Sequence, residues 1–241
     1  MKKKLITAGV LVLSASLLVA ASILGTLAFL ASSSAVSNTF TYGDVGIHML
    51  ESKVDENGVD LDGDGKRTVD GNSYKLIPKK TYTKDPAITV SKGSVPSYLF
   101  VKVKNGISTI EEPDENTMAE QIVKNGWQPV KTNASGEVLY LYVGQNATDD
   151  PKIDPALVKA KYVGKANEEE VIEIFKQFTI KEDAAVADYA GAKVTLTAFA
   201  IQTEGFTQEK DGLKGYQLAW NAIVGRFPFE SGTVFTAAVA P

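Results

Sequence analysis

The chain of 241 residues contains no cysteine and a single histidine, His48. Without cysteine it forms neither disulfide bonds nor thiolate metal sites, so an exported fold has to be stabilised by packing alone. One histidine does not supply a two-histidine zinc site, and neither an HExxH nor a GxSxG motif accompanies it. We therefore predict that the protein is not an enzyme and that His48 lies on an exposed face or edge of a strand.

Basic clusters are also scarce. The formal net charge is −4, and the only charges before residue 44 belong to Lys2, Lys3 and Lys4. The sequence thus contains no basic patch that would favour a nucleic-acid partner. Hydrophobic residues make up 44% of the chain and charged residues 22%, a balance typical of globular rather than disordered proteins.

The N-terminus has the parts of an export signal. The three lysines precede an uncharged run from residue 5 to residue 31. Within that run, the small residues Thr26 and Ala28 stand where a signal peptidase requires them. We therefore predict a signal peptide over residues 1–28, with cleavage between Ala28 and Phe29.

Two alternatives to this cleavage stay open. Ser33 and Ala35 form a second pair of small residues, which would move the cut to a later position. An uncut leader would instead anchor the protein, because roughly 20 apolar residues are enough to span a bilayer. Contact with a membrane is expected only through that uncut leader.

The body of the chain is dominated by short runs in which apolar and polar residues alternate. Such runs, rich in β-branched and aromatic residues, predict strands at 45–49, 86–91, 99–104, 137–143, 177–181 and 193–202. Apolar residues at helical spacing predict three helices, at 115–126, 167–178 and 211–224, the second of them capped by Asn167. Many short strands with a few short inserted helices predict a mainly β fold, an antiparallel β-sandwich forming one domain over residues 29–241.

The stretch DLDGDGKRTVDG, residues 60–71, has the spacing of a calcium-binding loop. Alternating aspartates are followed by a glycine at the sixth place, but Gly71 stands where an EF-hand has its bidentate glutamate. The candidate ligands are Asp60, Asp62, Asp64, the Lys66 carbonyl, Thr68 and Asp70. The alternative is a solvated Asp/Gly turn, so calcium is the only cofactor that the sequence suggests, through an incomplete set of ligands.

Two N-terminal stretches carry a resemblance to a known family. GTLAF (25–29) places an aromatic residue after the predicted cut, and SNTFTYGDVGI (37–47) begins the first alternating strand. Further matching stretches are YKLIPKKTYTKDPAITVSKGSVPSYLFVKV (74–103), FTI (178–180), VTLTAFAIQTEGF (194–206) and AWNAI (219–223). Together these resemble the TasA/camelysin family of exported proteins. The resemblance implies a jelly-roll sandwich, a leader cut by a signal peptidase of the SipW type, and assembly into extracellular matrix fibres.

In fibre-forming members of that family, the N-terminal segment of one subunit completes the sheet of the next. The corresponding arm here runs from Phe29 to about Met49, and its first ten residues contain no charge, proline or glycine. The residues that we expect to dock are Phe29, Leu30, Val36, Thr39 and Phe40. The expected protein is a structural subunit, secreted to the extracellular matrix or cell surface, whose partner is a second copy of itself.

Three other interpretations of the chain remain. Camelysin relatives have been classed as metallopeptidases, so a cell-surface metallopeptidase is one alternative. A monomeric binding module held at the surface by an uncut leader is another. In the third interpretation, the arm is a loose mature N-terminus with no role in assembly, as in many exported proteins.

Overall fold

A computed structural model describes residues 31–35, 38–40, 45–60, 66–144, 161–164, 167–224 and 235–236. These residues form thirteen strands, two α-helices and a 3₁₀ turn at Val186–Tyr189. The strands are β1 (Ala31–Ala35), β2 (Asn38–Phe40), β3 (Ile47–Ser52), β4 (Arg67–Thr68), β5 (Thr81–Thr83), β6 (Ala87–Val90), β7 (Ser97–Asn105), β8 (Trp127–Thr132), β9 (Val138–Tyr142), β10 (Tyr162–Val163), β11 (Glu170–Glu173), β12 (Gln177–Thr179) and β13 (Val194–Gln202). The helices are α1 (Met118–Lys124) and α2 (Gly215–Val224).

The largest sheet is built around the two longest strands, β7 and β13. They pair antiparallel over their whole length, from Val194 opposite Asn105 to Gln202 opposite Ser97. The strand order is β2-β1-β13-β7-β9-β8, and β10 pairs with the first residues of β7. Every pairing among the described strands is antiparallel, as the alternating sequence pattern predicts.

A second sheet, in the order β11-β6-β3-β4, faces the first, and β5 pairs with β12 in a small third sheet. Side chains of β3 and β6, such as Ile47, Met49 and Ile88, pack with side chains of β7 and β13. The side chains contributed by β7 and β13 to this core are Leu99, Val101, Val103, Leu196, Ala198 and Ala200. The mainly β, antiparallel sandwich predicted from the sequence is therefore confirmed.

The outer face of the large sheet is covered too, by helix α2. Trp220 is fully buried there, with its ring 5.1 Å from that of Phe100 and 5.2 Å from that of Phe199. The Asn221 side chain holds the backbone of Phe235, accepting from its N–H at 2.8 Å and donating to its carbonyl at 2.7 Å. Burial on both faces explains why β9 is apolar at successive positions rather than alternating.

All six predicted strand segments are confirmed, with bounds shifted by a few residues. The predicted helix at 115–126 is α1, whose N-terminus is capped by Thr117: its Oγ1 accepts from the Glu120 N–H at 3.2 Å. The helix predicted over 211–224 is α2, which begins later because residues 210–213 form a tight turn. Neither of the helices in the described ranges is long and apolar enough to cross a membrane.

The helix predicted over 167–178 is wrong. Residues Glu170–Glu173 form β11 against β6, and Gln177–Thr179 form β12 against β5. Val171, placed on the apolar face of the predicted helix, is 68% exposed, whereas Ile172 and Ile174 are buried. That period of two matches a strand, and pairing with β6 outweighs the local helix signal from the Asn167 cap.

Candidate functional site

The N-terminal strand β1 completes the edge of the large sheet. It pairs with β13 of its own chain, from Ala31 opposite Ile201 to Ala35 opposite Thr197. The only other described partner of β13 is β7, on the opposite side. If β1 were removed, β13 would become an edge strand with a row of unpaired N–H and C=O groups.

The hydrogen bonds at the two ends of β13 show which of its residues bond to β7 and which bond to β1. The Thr203 N–H donates to the Pro96 carbonyl at 2.9 Å, and the Gly106 N–H donates to the Lys193 carbonyl at 3.0 Å, so odd-numbered residues bond towards β7. Successive backbone groups of a strand point to opposite sides. The groups of Ala198 and Ala200 therefore point to β1, where their partners are Ser34 and Ser32.

β1 folds back into a hairpin with β2. Ser33 lies opposite Phe40 and Ala35 lies opposite Asn38, so β2 becomes the outermost strand of the sheet. Two predicted docking residues, Thr39 and Phe40, thus belong to this hairpin. The others, Phe29, Leu30 and Val36, lie outside the described residues, as does Ala28 on the other side of the predicted cut. Docking of all five residues on another copy, and the cut itself, stay predictions.

Three other edge strands of the two larger sheets, β8, β4 and β11, are poorly suited to pairing with another chain. β8, at the far end of the large sheet, contains Pro129, which has no N–H, and its register shifts between Pro129 and Lys131. β4 has only two residues. β11 is flanked by acidic side chains around the exposed Val171. Proline, bulges, shortness and charge are the features by which sheet edges avoid association.

The predicted calcium loop, residues 60–70, is closed at its base by the backbone. Val54 bridges to Asp60, the Lys53 N–H donates to the Lys66 carbonyl at 3.0 Å, and Ser52 pairs with Arg67. The two ends of the loop therefore lie side by side at the end of β3. Asp62 and Asp64, at the centre of the loop, lie outside the described residues.

The Arg67 guanidinium fixes this base to the next strand connection. It donates to Asp85 Oδ2 at 3.0 Å, to the Asp85 carbonyl at 2.6 Å and to the Leu50 carbonyl at 2.9 Å. Asp85 in turn accepts from the Ser52 N–H at 2.7 Å and from the Ser52 hydroxyl at 2.8 Å. These hydrogen bonds connect the described end of the loop at Arg67 to the end of β3 and to Asp85.

Two of the expected calcium ligands already have local partners. The Lys66 carbonyl accepts the Lys53 bond just described, and Thr68 Oγ1 accepts from the Asp70 N–H at 3.1 Å. Among the residues that the structure describes, no three His, Asp or Glu side chains are grouped as metal ligands. Because the central aspartates, Asp62 and Asp64, lie outside the described residues, calcium binding stays a prediction.

His48 lies where the sequence places it, on an exposed position of β3 opposite Thr89. Its neighbours Ile47 and Met49 point into the core. The alternation of β3 therefore directs the imidazole away from the core.

A buried polar cluster at the end of β3 was missed in the sequence. Lys84 Nζ donates to Glu51 Oε2 at 2.6 Å, and the two side chains are only 7% and 3% exposed. Asn72 Nδ2 donates to the other oxygen of the same carboxylate, Oε1, at 3.0 Å and to the Ser52 carbonyl at 2.8 Å. Asn72 Oδ1 accepts from the Val54 N–H at 3.0 Å. The three bonds made by Asn72 fix the orientation of its amide.

Tyr74 lies beside this cluster. Its hydroxyl donates to the Thr83 carbonyl at 2.9 Å, and its ring contacts that of Tyr82 edge-on, 5.7 Å between centroids. Burial, reinforced by the negative charges of Glu51 and Asp85, raises the pKa of the Tyr74 phenol well above its usual range. The phenol therefore stays protonated and acts here as a hydrogen-bond donor.

The alternation of the sequence does contain a signal for the ion pair. Val45, Ile47 and Met49 are buried, and Glu51 occupies the next inward position of the same strand. Lys84 follows the buried Tyr82 by two residues in the same way. Opposite charges at inward positions of two neighbouring runs predict a buried pair, because a buried charge needs a partner. Asn72, in a segment without regular structure, gives no such signal.

Comparison of the chain with protein-family models, with curated proteins and with solved structures gives no match.

Proposed function

We propose that the protein is a secreted structural subunit that assembles into extracellular fibres by exchanging its N-terminal strand between copies. In the fibre, β1 of one copy pairs with β13 of the next. The register is the one made within a single chain, with Ser34 opposite Ala198 and Ser32 opposite Ala200. The observation that carries the proposal is this addition of an N-terminal strand to an otherwise open sheet edge.

The exchanged unit is the β1–β2 hairpin. It is joined to β3 through residues 41–44, and Val45 is already buried in the core. Exchange of an element between identical copies keeps every native contact while linking the chains. A head-to-tail exchange extends into a filament when the rotation between successive copies does not close into a ring, and the proposal is that it does not close here.

Two further observations support a homopolymer. Three other described edge strands, β8, β11 and β4, carry proline and a bulge, acidic residues or only two residues, features that disfavour pairing with another chain. The N-terminal sequence resembles the TasA/camelysin family, in which such arms build matrix fibres, and secretion is the expectation that comes with it. This assembly needs no disulfide, and the chain contains no cysteine.

Truncation tests the proposal directly. Protein starting at Phe29 and protein starting at Asn38 are compared by electron microscopy and sedimentation. We expect filaments from the first and monomers from the second, because the second lacks β1 entirely. Equal filament yield from the two proteins would contradict the proposal.

A matched pair of substitutions tests the backbone hydrogen bonds of β1 without changing the length of the N-terminal arm. Ser34→Pro removes an N–H that points to β13, and proline has no donor with which to replace it. Ser34→Thr keeps the N–H and adds β-branching, which strands tolerate well. We expect Ser34→Pro to abolish filaments and Ser34→Thr to preserve them; equal behaviour would show that the backbone ladder is not the contact.

A further inference from the structure

The cluster at the end of β3 brings an amine, a carboxamide and a carboxyl group together in a largely buried site. Lys84 Nζ and Asn72 Nδ2 are hydrogen-bonded to the two oxygens of the single Glu51 carboxylate. The geometry points to an intramolecular amide cross-link between Lys84 and Asn72, which the chain forms by itself with Glu51 as the proton carrier. This inference does not depend on the proposed assembly.

Each member of the cluster is placed for one role. Lys84 is the nucleophile, since an uncharged lysine amine attacks carbonyl carbon. Glu51 contacts both the attacking and the leaving nitrogen, so one carboxyl group can accept a proton from the first and give it to the second. The 2.6 Å and 3.0 Å separations of these contacts are within hydrogen-bond reach, as proton transfer requires.

The Asn72 carbonyl oxygen is held by a backbone donor. Asn72 Oδ1 accepts from the Val54 N–H at 3.0 Å, the kind of donor that stabilises negative charge on an oxygen as a tetrahedral intermediate forms. The Ser52 carbonyl accepts from Asn72 Nδ2 at 2.8 Å and so opposes a 180° flip of the Asn72 amide. The carbonyl therefore stays on the backbone donor and the leaving nitrogen stays on Glu51.

The reaction balances without any added reagent. A proton moves from the Lys84 ammonium to Glu51 Oε2, and the free amine attacks Asn72 Cγ. The C–Nδ2 bond then breaks as Glu51 returns a proton to Nδ2, and the new Nζ–Cγ amide bond remains. Ammonia leaves and takes up the remaining proton of the attacking nitrogen as ammonium, so nothing is oxidised or reduced.

Burial is what makes the site suited to this chemistry. Exclusion of water strengthens the hydrogen bonds within the site and keeps water from competing with the amine. Holding the two groups on one carboxylate turns a reaction between separate molecules into a local one, which accounts for large rate gains in positioned systems. The product is a covalent bond that joins the segment after the 60–70 loop to the residue following β5, in a chain that has no disulfides.

Intact mass spectrometry of the purified, folded mature chain is the test. We expect the mass to be lower than the sequence mass by one molecule of ammonia. After digestion with trypsin, which cuts at Lys75, Lys79 and Lys80 between the two positions, the peptides containing Asn72 and Lys84 should remain joined. A wild-type chain with its full sequence mass would overturn the inference.

Two variants assign the roles. Glu51→Gln cannot carry the proton, and Lys84→Arg keeps a cation beside Glu51 but has no attacking amine. Both are expected to show their full sequence mass, with circular dichroism confirming that each is folded. Loss of ammonia from either variant, to the same extent as wild type, would contradict the assigned mechanism.

The chain also offers a matched control. Lys80 Nζ donates to Asn57 Oδ1 at 3.0 Å, which is a second lysine–asparagine contact. Here the lysine is bonded to the amide oxygen itself, whereas Lys84 and Asn72 are both bonded to the Glu51 carboxylate. We expect Lys80→Arg to lose ammonia as wild type does. A joined peptide that maps to Lys80 and Asn57, or to any pair other than Lys84 and Asn72, would overturn the inference.

Discussion

The Glu111 carboxylate closes the N-terminus of helix α1 by accepting from the Met118 N–H at 2.9 Å through Oε1. Its other oxygen accepts from Asn105 Nδ2 at 2.5 Å, and the residue is only 5% exposed. Burial raises the pKa of Glu111, and this effect outweighs the two hydrogen bonds, which act in the opposite direction. The helix start is thus stabilised by a carboxyl group that is costly to ionise.

The first prediction follows from that raised pKa. A carboxyl group with a higher pKa in the folded than in the unfolded state binds protons more tightly when folded, so its contribution to stability falls as the pH rises. The window opens near its ordinary value of 4.5 and extends upwards to the raised folded value. We expect the free energy of unfolding of wild type, minus that of Glu111→Gln, to decrease from about pH 4 to pH 7 in urea titrations.

The control for this measurement is Glu115→Gln, since the Glu115 side chain is 93% exposed. We expect its difference from wild type to stay nearly constant over the same range, because exposed charges contribute little. A Glu111→Gln difference that is flat, or that grows with pH, would show that the burial effect is absent.

The second prediction concerns the loop over residues 60–70. The base of the loop is closed by the backbone, but two expected oxygen ligands already accept hydrogen bonds. We therefore expect weak calcium binding, roughly in the millimolar range of extracellular modules, by calorimetry on the mature chain. Asp62→Ala and Asp64→Ala should abolish the signal, whereas Asp183→Ala, at an exposed position elsewhere, should not. Identical traces from wild type and both loop variants would assign the loop to a solvated turn.

The third prediction is removal of the leader between Ala28 and Phe29. The motivation is the lysine-rich start, the uncharged run and the small residues that precede the cut. N-terminal sequencing of exported protein should begin at Phe29. A start at Val36 would support the later site, shorten the freed arm and remove β1. Membrane-bound material starting at Met1 would contradict cleavage.

Alternating or continuously apolar runs were sufficient to predict six of the thirteen described strands, namely β3, β6, β7, β9, β12 and β13. Such patterns failed at residues 167–178, where apolar residues fit both a helical and a strand period. There, Ile172 and Ile174 are buried by pairing with β6, a contact about eighty residues away in sequence that local propensity does not report. Helix α1 was predicted because the helical spacing of Met118 and Ile122, and the glycine at 126 that follows its end, are local features.

The candidate sites divide in the same way. The N-terminal arm and the acidic loop have composition and spacing that stand out in the sequence. The polar cluster does not, because Glu51, Asn72 and Lys84 meet only when β3, an irregular segment and the end of β5 come together. The inward positions of Glu51 and Lys84 in the sequence predict a buried ion pair. They do not predict that the Asn72 amide binds the same carboxylate.

The fourth prediction tests strand exchange, the central claim. Ala35 and Thr197 lie opposite each other in the β1–β13 register, and cysteines at directly opposed strand positions meet the distance requirement of a disulfide. Since the chain contains no cysteine, every disulfide observed comes from the introduced residues. One preparation carries only Ala35→Cys, and another carries only Thr197→Cys, so that a bond between them joins two copies.

The most direct measurement is a non-reducing gel of filaments grown from an equal mixture of these two single variants. The control mixture replaces Thr197→Cys by Thr195→Cys, two residues along the same strand and outside the β1 register. The account predicts a covalent dimer from Ala35→Cys with Thr197→Cys that disappears on reduction, and little from the control. Filaments without that dimer, or an equal amount of dimer in the control, would contradict exchange of β1 between copies.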